Sequence, residues 1–202
     1  MILPIYTYGT PVLREKTIPV EANSEELQSL IDDMIETMHH ASGVGLAAPQ
    51  VGRTERLFVV DVSLAREDDD EQTDGPSDFE AGPVAFINPE LHLRESAKSE
   101  FEEGCLSIPE LREDVIRPDE VKITFLDRDL AQQELVVDGL FARVIQHEFD
   151  HLNGILFVDH LSPLKKRLLR RRLREMARGE ITADYPVVTP VSKKWKTSES
   201  IG

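Results

Sequence analysis

Residues 146 to 151 read Gln-His-Glu-Phe-Asp-His, which sets a carboxylate, Glu148, between two imidazoles four residues apart. On a helix, positions i and i+4 share one face, so His147 and His151 can grip one metal ion together. Glu148, beside them, could take a proton from a water that the ion activates. A hydrolytic metal centre needs three protein ligands and one open position. This segment supplies two, and the third separates enzyme classes. His160 lies nine residues beyond His151, whereas one protease spacing asks for a histidine six residues on, where Phe157 stands. Glu175 and Glu180, the acids that another protease type would recruit, sit in or beside a strongly basic stretch. Cys105, the single cysteine, follows Glu103-Gly104, where glycine permits a sharp turn. Its thiolate would be stabilised by the ion, so Cys105 is the better candidate.

The elements that must position these groups follow from periodicity. Asp138 is a fitting N-cap and Asn153-Gly154 a fitting stop for a helix carrying Leu140, Phe141, Val144, Ile145 and Leu152. That helix is expected to be buried on more than one side, where two histidines need partners and a metal satisfies both. Upstream, Asn23 or Ser24 opens a helix with Leu27, Leu30, Ile31, Met34, Ile35 and Met38 on one face. It ends near His39 and His40, which are read as capping or solvating it. A glycine-rich segment spans 43 to 52, and Leu57 to Val62 reads as a buried strand. Val84 to Asn88 and Leu91 to Leu93 are short strands, and Ser99 to Gly104 leads into Cys105. Val121, Ile123 and Phe125 alternate with polar residues, and Glu134 to Val137 returns after a turn near Asp127-Arg128-Asp129. The order predicts an α+β fold: short antiparallel strands packed around a buried central metal-binding helix, with an N-terminal amphipathic helix and a C-terminal basic helix.

The chain of 202 residues, 40% apolar, suits a single domain over residues 1 to 180. It has no run long enough for a membrane span and no signal-peptide pattern at its start, so no membrane partner is expected. One cysteine excludes an internal disulfide and points to a reducing, cytoplasmic setting. The net charge of −15 is uneven. Residues 66 to 82 form an acidic stretch that reads as a surface insertion, without the ligand register of a calcium loop. Residues 164 to 178 combine lysines and arginines with leucines at helical spacing, a face that either solvates or meets RNA. DNA is not expected as a partner of so acidic a chain. Residues 181 to 202, with Pro186, Pro190 and Lys-Lys-Trp-Lys at 193 to 196, read as a flexible tail.

Three stretches then stand out together: Gly43-Val44-Gly45-Leu46-Ala47-Ala48-Pro49-Gln50, Glu103-Gly104-Cys105-Leu106-Ser107 and Gln146-His147-Glu148-Phe149-Asp150-His151-Leu152. In this order they resemble the three signature motifs of the peptide deformylases, and the resemblance runs from about residue 3 to about residue 178. The resemblance implies removal of the formyl group from formylmethionine on nascent peptides by one divalent metal ion per chain. That ion is natively Fe(2+), with Zn(2+), Ni(2+) or Co(2+) in purified protein. It further implies Cys105, His147 and His151 as ligands, Glu148 as the proton carrier, and the Leu106 N–H with the Gln50 amide as stabilisers of the oxyanion. Val44 and Gly45, with Glu103 and Gly104, resemble the strands that hold the substrate backbone. Leu140, Arg143 and Val144 lie one turn before the ligands on the same helix face, where they would edge the methionine pocket. Arg143 departs from the aliphatic residue expected there, and is read as a rim ion pair or a substrate contact. Two other readings share part of this pattern: a zinc endopeptidase, for which Cys105 is dispensable, and a non-catalytic protein with a closed structural metal site whose basic helix docks on RNA; a ribosome contact through residues 164 to 178 is a separate expectation.

Overall fold

The computed structural model describes residues 1–63, 82–93 and 97–192. Apart from Gly82, the acidic stretch at 66 to 82 lies outside the described residues, as does 193 to 202. The elements run β1 (Ile5–Tyr6), α1 (Glu25–His40), β2 (Gly45–Ala47), β3 (Leu57–Val60), β4 (Val84–Leu93), β5 (Lys98–Cys105), β6 (Ile108–Pro118), β7 (Val121–Leu126), β8 (Gln132–Val137), α2 (Gly139–His151), α3 (Pro163–Ala177) and β9 (Val187–Val188). The α+β expectation holds.

The main sheet has the order β2-β3-β4-β7-β8, with every neighbouring pair antiparallel. The interior strand β3 explains the unbroken apolar run from Leu57 to Val60, because a helix covers each of its faces. Phe58 and Val60 join the cluster of Phe86, Phe141, Val144 and Ile145 under α2. Leu57 and Val59 point the other way, into Ile31, Met34 and Met38 of α1. The two-residue period of a strand thus splits one sequence between two cores. Helix α1 starts where expected: the Ser24 hydroxyl accepts from Leu27 N–H at 3.1 Å, and Glu25 and Glu26 suit the positive helix start. His39 does more than end it, for its Nε2 lies 2.8 Å from the buried Asp61 carboxylate.

Three expectations need correcting. The strands are not all short, since β4 runs ten residues and β6 eleven. The two short strands expected at Val84 to Asn88 and Leu91 to Leu93 are one strand, whose register shifts between Ile87 and Glu90 with Asn88 at φ 49°, so β4 passes Pro89 on a bulge. The long β6 went unread because Pro109, Pro118 and five charged residues dilute its alternation, yet Ile108, Leu111, Val115 and Arg117 are buried. Finally, residues 181 to 192 are not a loose tail. They fold back so that β9 pairs parallel with β1, Ile5 N–H donating to Pro186 O at 2.8 Å and Thr7 N–H to Val188 O at 3.0 Å. A parallel partner so distant in sequence leaves no local signal.

Candidate active site

Helix α2 enters through Gly139, at φ 56°, a left-handed conformation that glycine adopts freely. It buries Ala142, Ile145, His147, Glu148 and His151, so the motif is driven into the core. The β5–β6 hairpin closes at Leu106-Ser107, where its register shifts between Gly104 and Cys105. That irregularity turns Cys105 toward α2. Cys105 Sγ lies 3.2 Å from His151 Nε2, and the donor atoms of Cys105, His147 and His151 all fall within 4.8 Å of one another. Three donors of this kind suit a soft to borderline divalent ion.

The surroundings favour that ion. His147 Nδ1 meets Glu103 Oε2 at 3.0 Å, which leaves Nε2 directed at the shared point. Glu103 is itself held by Arg117, at 2.6 and 3.0 Å. Burial alone would raise its pKa, but the bonds from His147 and Arg117 bring it down to about 2. Burial also opposes a charge on His147, yet bonds to Cys105 and Glu103 hold its pKa well above the imidazole range. His151 is held well below that range by burial and by the charge on His147. A cation binding among these three donors would displace protons from the atoms that hold it. Among the described residues, the buried Nδ1 of His151 and Oε2 of Glu148 have no hydrogen-bond partner.

Glu148 packs against Gly45 of the edge strand β2, where an added Cβ would stand 2.5 Å from Oε1. Burial pushes its carboxyl up to about 7. Gln50, in a buried 3-10 turn after β2, is oriented by its Oε1 accepting from Ala47 N–H at 2.8 Å. Its Nε2 then faces Cys105 Sγ at 3.5 Å and Ser107 Oγ at 3.3 Å. Gly45, Gln50, Glu103, Cys105, His147 and Glu148 open on one cleft of about 840 Å³, also lined by Val44, Gly104, Leu106, Leu140 and Val144.

Two predicted residues have buried partners of their own. Glu103 lines the cleft, but its carboxylate is engaged by Arg117 and His147 and serves to orient a ligand. Arg143 lines the cleft and has the ion pair expected of it, with Glu103 at 3.5 Å, but that pair is buried, Arg143 being only 6% exposed. It donates to Val115 O at 3.2 Å and Ser99 O at 3.0 Å, and its guanidinium lies 5.7 Å from the Phe101 ring. It ties α2 to the hairpin. His160, weighed as a ligand, instead meets Asp150 at 2.7 Å, and Asp150 accepts from Arg117 at 2.7 Å. Sequence reasoning missed Arg117 because it missed β6. It missed Tyr185, whose hydroxyl donates to Leu106 O at 2.8 Å, because it set the tail aside.

Comparison with known proteins agrees with this geometry. A family model described as polypeptide deformylase matches residues 2–167. A peptide deformylase of Salinibacter ruber is 56% identical over 189 residues, covering 94% of this chain and 95% of that protein. One from Flavobacterium johnsoniae is 43% identical over 194 residues, covering 96% and 99%. Among solved structures, a peptide deformylase from Legionella pneumophila superposes with a TM-score of 0.74 at 40% identity, covering 89% of this chain and 98% of that one. A peptide deformylase from Synechococcus elongatus, in complex with actinonin, gives 0.73 at 39% identity, covering 84% and 87%. With the convergence of Cys105, His147 and His151, the buried carboxylate and these matches in agreement, the chain belongs to the polypeptide deformylase family.

Proposed function

We propose that this protein hydrolyses the N-formyl group from formylmethionine at the start of newly made peptides, releasing formate and a free amine. The observation that carries the reading is the convergence of Cys105, His147 and His151 beside a buried Glu148, at the floor of a cleft edged by β2. A divalent cation held by those three residues would polarise the formyl carbonyl and make water nucleophilic at neutral pH. Fe(2+) is the proposed native ion, with Zn(2+), Ni(2+) and Co(2+) compatible with the same donors.

Glu148 takes the proton of the attacking water and returns it to the departing nitrogen. A nearby cation lowers its raised pKa, so its carboxylate is the working form near neutrality. The Leu106 N–H and Gln50 Nε2 face the oxygen on which negative charge develops. The outer edge of β2, at Val44 and Gly45, receives the peptide backbone as an added strand, with Glu103 and Gly104 of β5 as the opposite wall. Leu140 and Val144 give the methionine side chain an apolar surface. A formyl carbon bears only hydrogen, so a tight floor excludes larger acyl groups. The domain is read as a single catalytic unit working in the cytoplasm; no described helix is long and apolar enough to cross a membrane. Helix α3 exposes Leu164 and Leu168 among its basic residues and is proposed as a ribosome contact.

Anaerobic incubation of formyl-Met-Ala-Ser with protein loaded with ferrous iron, nickel or zinc tests the reaction. Formate release is expected with iron and nickel; none with any metal overturns the reading. For α3, reversing Arg167 and Arg170 to Glu is expected to weaken co-sedimentation with ribosomes at low salt, and unchanged co-sedimentation removes that role.

A further inference from the structure

The turn that carries Leu106 is held from outside the three motifs. We propose that Tyr185, from the C-terminal strap, is a positioning residue that aims the Leu106 N–H at the developing oxyanion. The inference rests on the deformylase reading above and on Leu106 as an oxyanion donor.

The Leu106 N–H can stabilise charge only if its direction is fixed before reaction. A two-residue turn between β5 and β6 does not fix it alone, because the register is already broken at Gly104 and Cys105. Ser107 is held from two sides, its carbonyl by Tyr8 N–H at 2.8 Å and its hydroxyl by Gln50 at 3.3 Å. The Leu106 carbonyl receives the Tyr185 hydroxyl at 2.8 Å. That carbonyl lies in the Leu106–Ser107 peptide plane and the N–H in the Cys105–Leu106 plane; the two planes meet at the Leu106 Cα, so pinning the first limits how far the second can swing. Burial, with the neighbouring charges of Cys105 and Asp184, pushes the Tyr185 phenol up to about 12, so it remains a donor.

Tyr185 is in turn well anchored. Its ring packs with the α1 core, and directly after it Pro186 O and Val188 O accept from Ile5 and Thr7 of β1. Residues 182 to 185 line the same cleft, so the strap is part of its wall. An anchor that is half-buried and directly followed by a paired strand can transmit position, whereas a free side chain cannot.

The test compares the full-length wild type with Tyr185→Phe, both loaded with nickel, on formyl-Met-Ala-Ser. Removing an oxyanion donor outright costs about 100-fold or more, and loosening one costs less, so kcat is expected to fall about three- to ten-fold. KM should stay within about two-fold, because the lost interaction belongs to the transition state. Nickel content and melting temperature should match wild type. Unchanged kcat overturns the proposal, as does a rise in KM alone, which would make the ring a substrate wall, or a loss of nickel. Should that variant fail to fold, Thr7→Val removes only the 3.2 Å hydroxyl bond to Val188 and loosens the same strap. It is expected to lower kcat about two-fold, and unchanged kcat there also overturns the proposal. A wild type that releases no formate defeats the deformylase reading itself, and the inference with it, before any variant is compared.

Discussion

Glu148 has a buried oxygen, Oε2, without a hydrogen-bond partner, while its other oxygen, Oε1, lies against a glycine, where the space is measured in a single carbon. A Cβ on Gly45 would lie 2.5 Å from Glu148 Oε1. Gly45→Ala is therefore expected to leave the fold and metal content intact while turnover drops by about 100-fold or more, since the carboxylate must move off its line to the water. Assay of nickel content beside kcat separates this from a folding defect. The ligands and the proton carrier should divide in the same way. Cys105→Ala is expected to lose both metal and activity, whereas Glu148→Ala keeps the metal and loses activity; full metal content in the cysteine variant would revive the endopeptidase alternative. One shell out, Glu103→Gln weakens the bond that orients His147. Metal affinity should fall about 10- to 100-fold in chelator competition, with Arg117 left as a buried cation short of a full partner.

At the scale of elements, the site is a junction between helix α2 and the β5–β6 hairpin, and Arg143 is its fastening. Arg143→Met keeps the stem and removes bonds to Ser99 and Val115. Stability is expected to fall by about 1–3 kcal/mol, seen as a melting temperature lower by about 3–10 °C, with the hairpin loosened toward the cleft. How much of this was legible depends on the range of the interaction. The faces of α1 and α2 are written in local periodicity, and the ligand pair in a four-residue spacing. The Cys105 turn could be singled out because glycine and a lone cysteine are unusual neighbours. The fate of Arg143 could not, since a helix pattern marks which face is buried and not which carbonyls await it. Strand β6 stayed hidden for a related reason: its inward residues include Arg117, whose partners Glu103 and Asp150 make it acceptable inside only once the fold exists.

At the scale of the molecule, the two ends of the described chain are tied together at more than one place. Arg14, in a short turn near the start, pairs with Asp159 just ahead of α3, and also reaches Gly154 O at 3.2 Å. Burial works to raise the Asp159 pKa, but the bonds from Arg14 and from Leu156 N–H leave it below the usual carboxylate value. A depressed pKa stabilises the fold above the unfolded value of about 4, and that contribution is lost as the pH falls through the folded value. Wild type is therefore expected to have a higher urea midpoint than Asp159→Asn at pH 7, with the gap closing as the pH drops below about 4. A gap that stays constant to pH 3 would show that the pair contributes no linkage. These ties explain why the sequence motifs conveyed the chemistry better than the architecture: motifs are local, whereas the closure joins residues 181 positions apart.

The pairing of β1 with β9 also imposes a timetable. A growing chain makes β1 near its beginning and β9 only after all three motifs, so the metal-ligating helix can pack while the strap is still unmade. Contacts of such long sequence separation form late, because the intervening chain must be ordered first. A half-grown molecule would then hold a cation in a cleft that lacks one wall, and the catalyst comes of age only when its last paired strand docks beside its first.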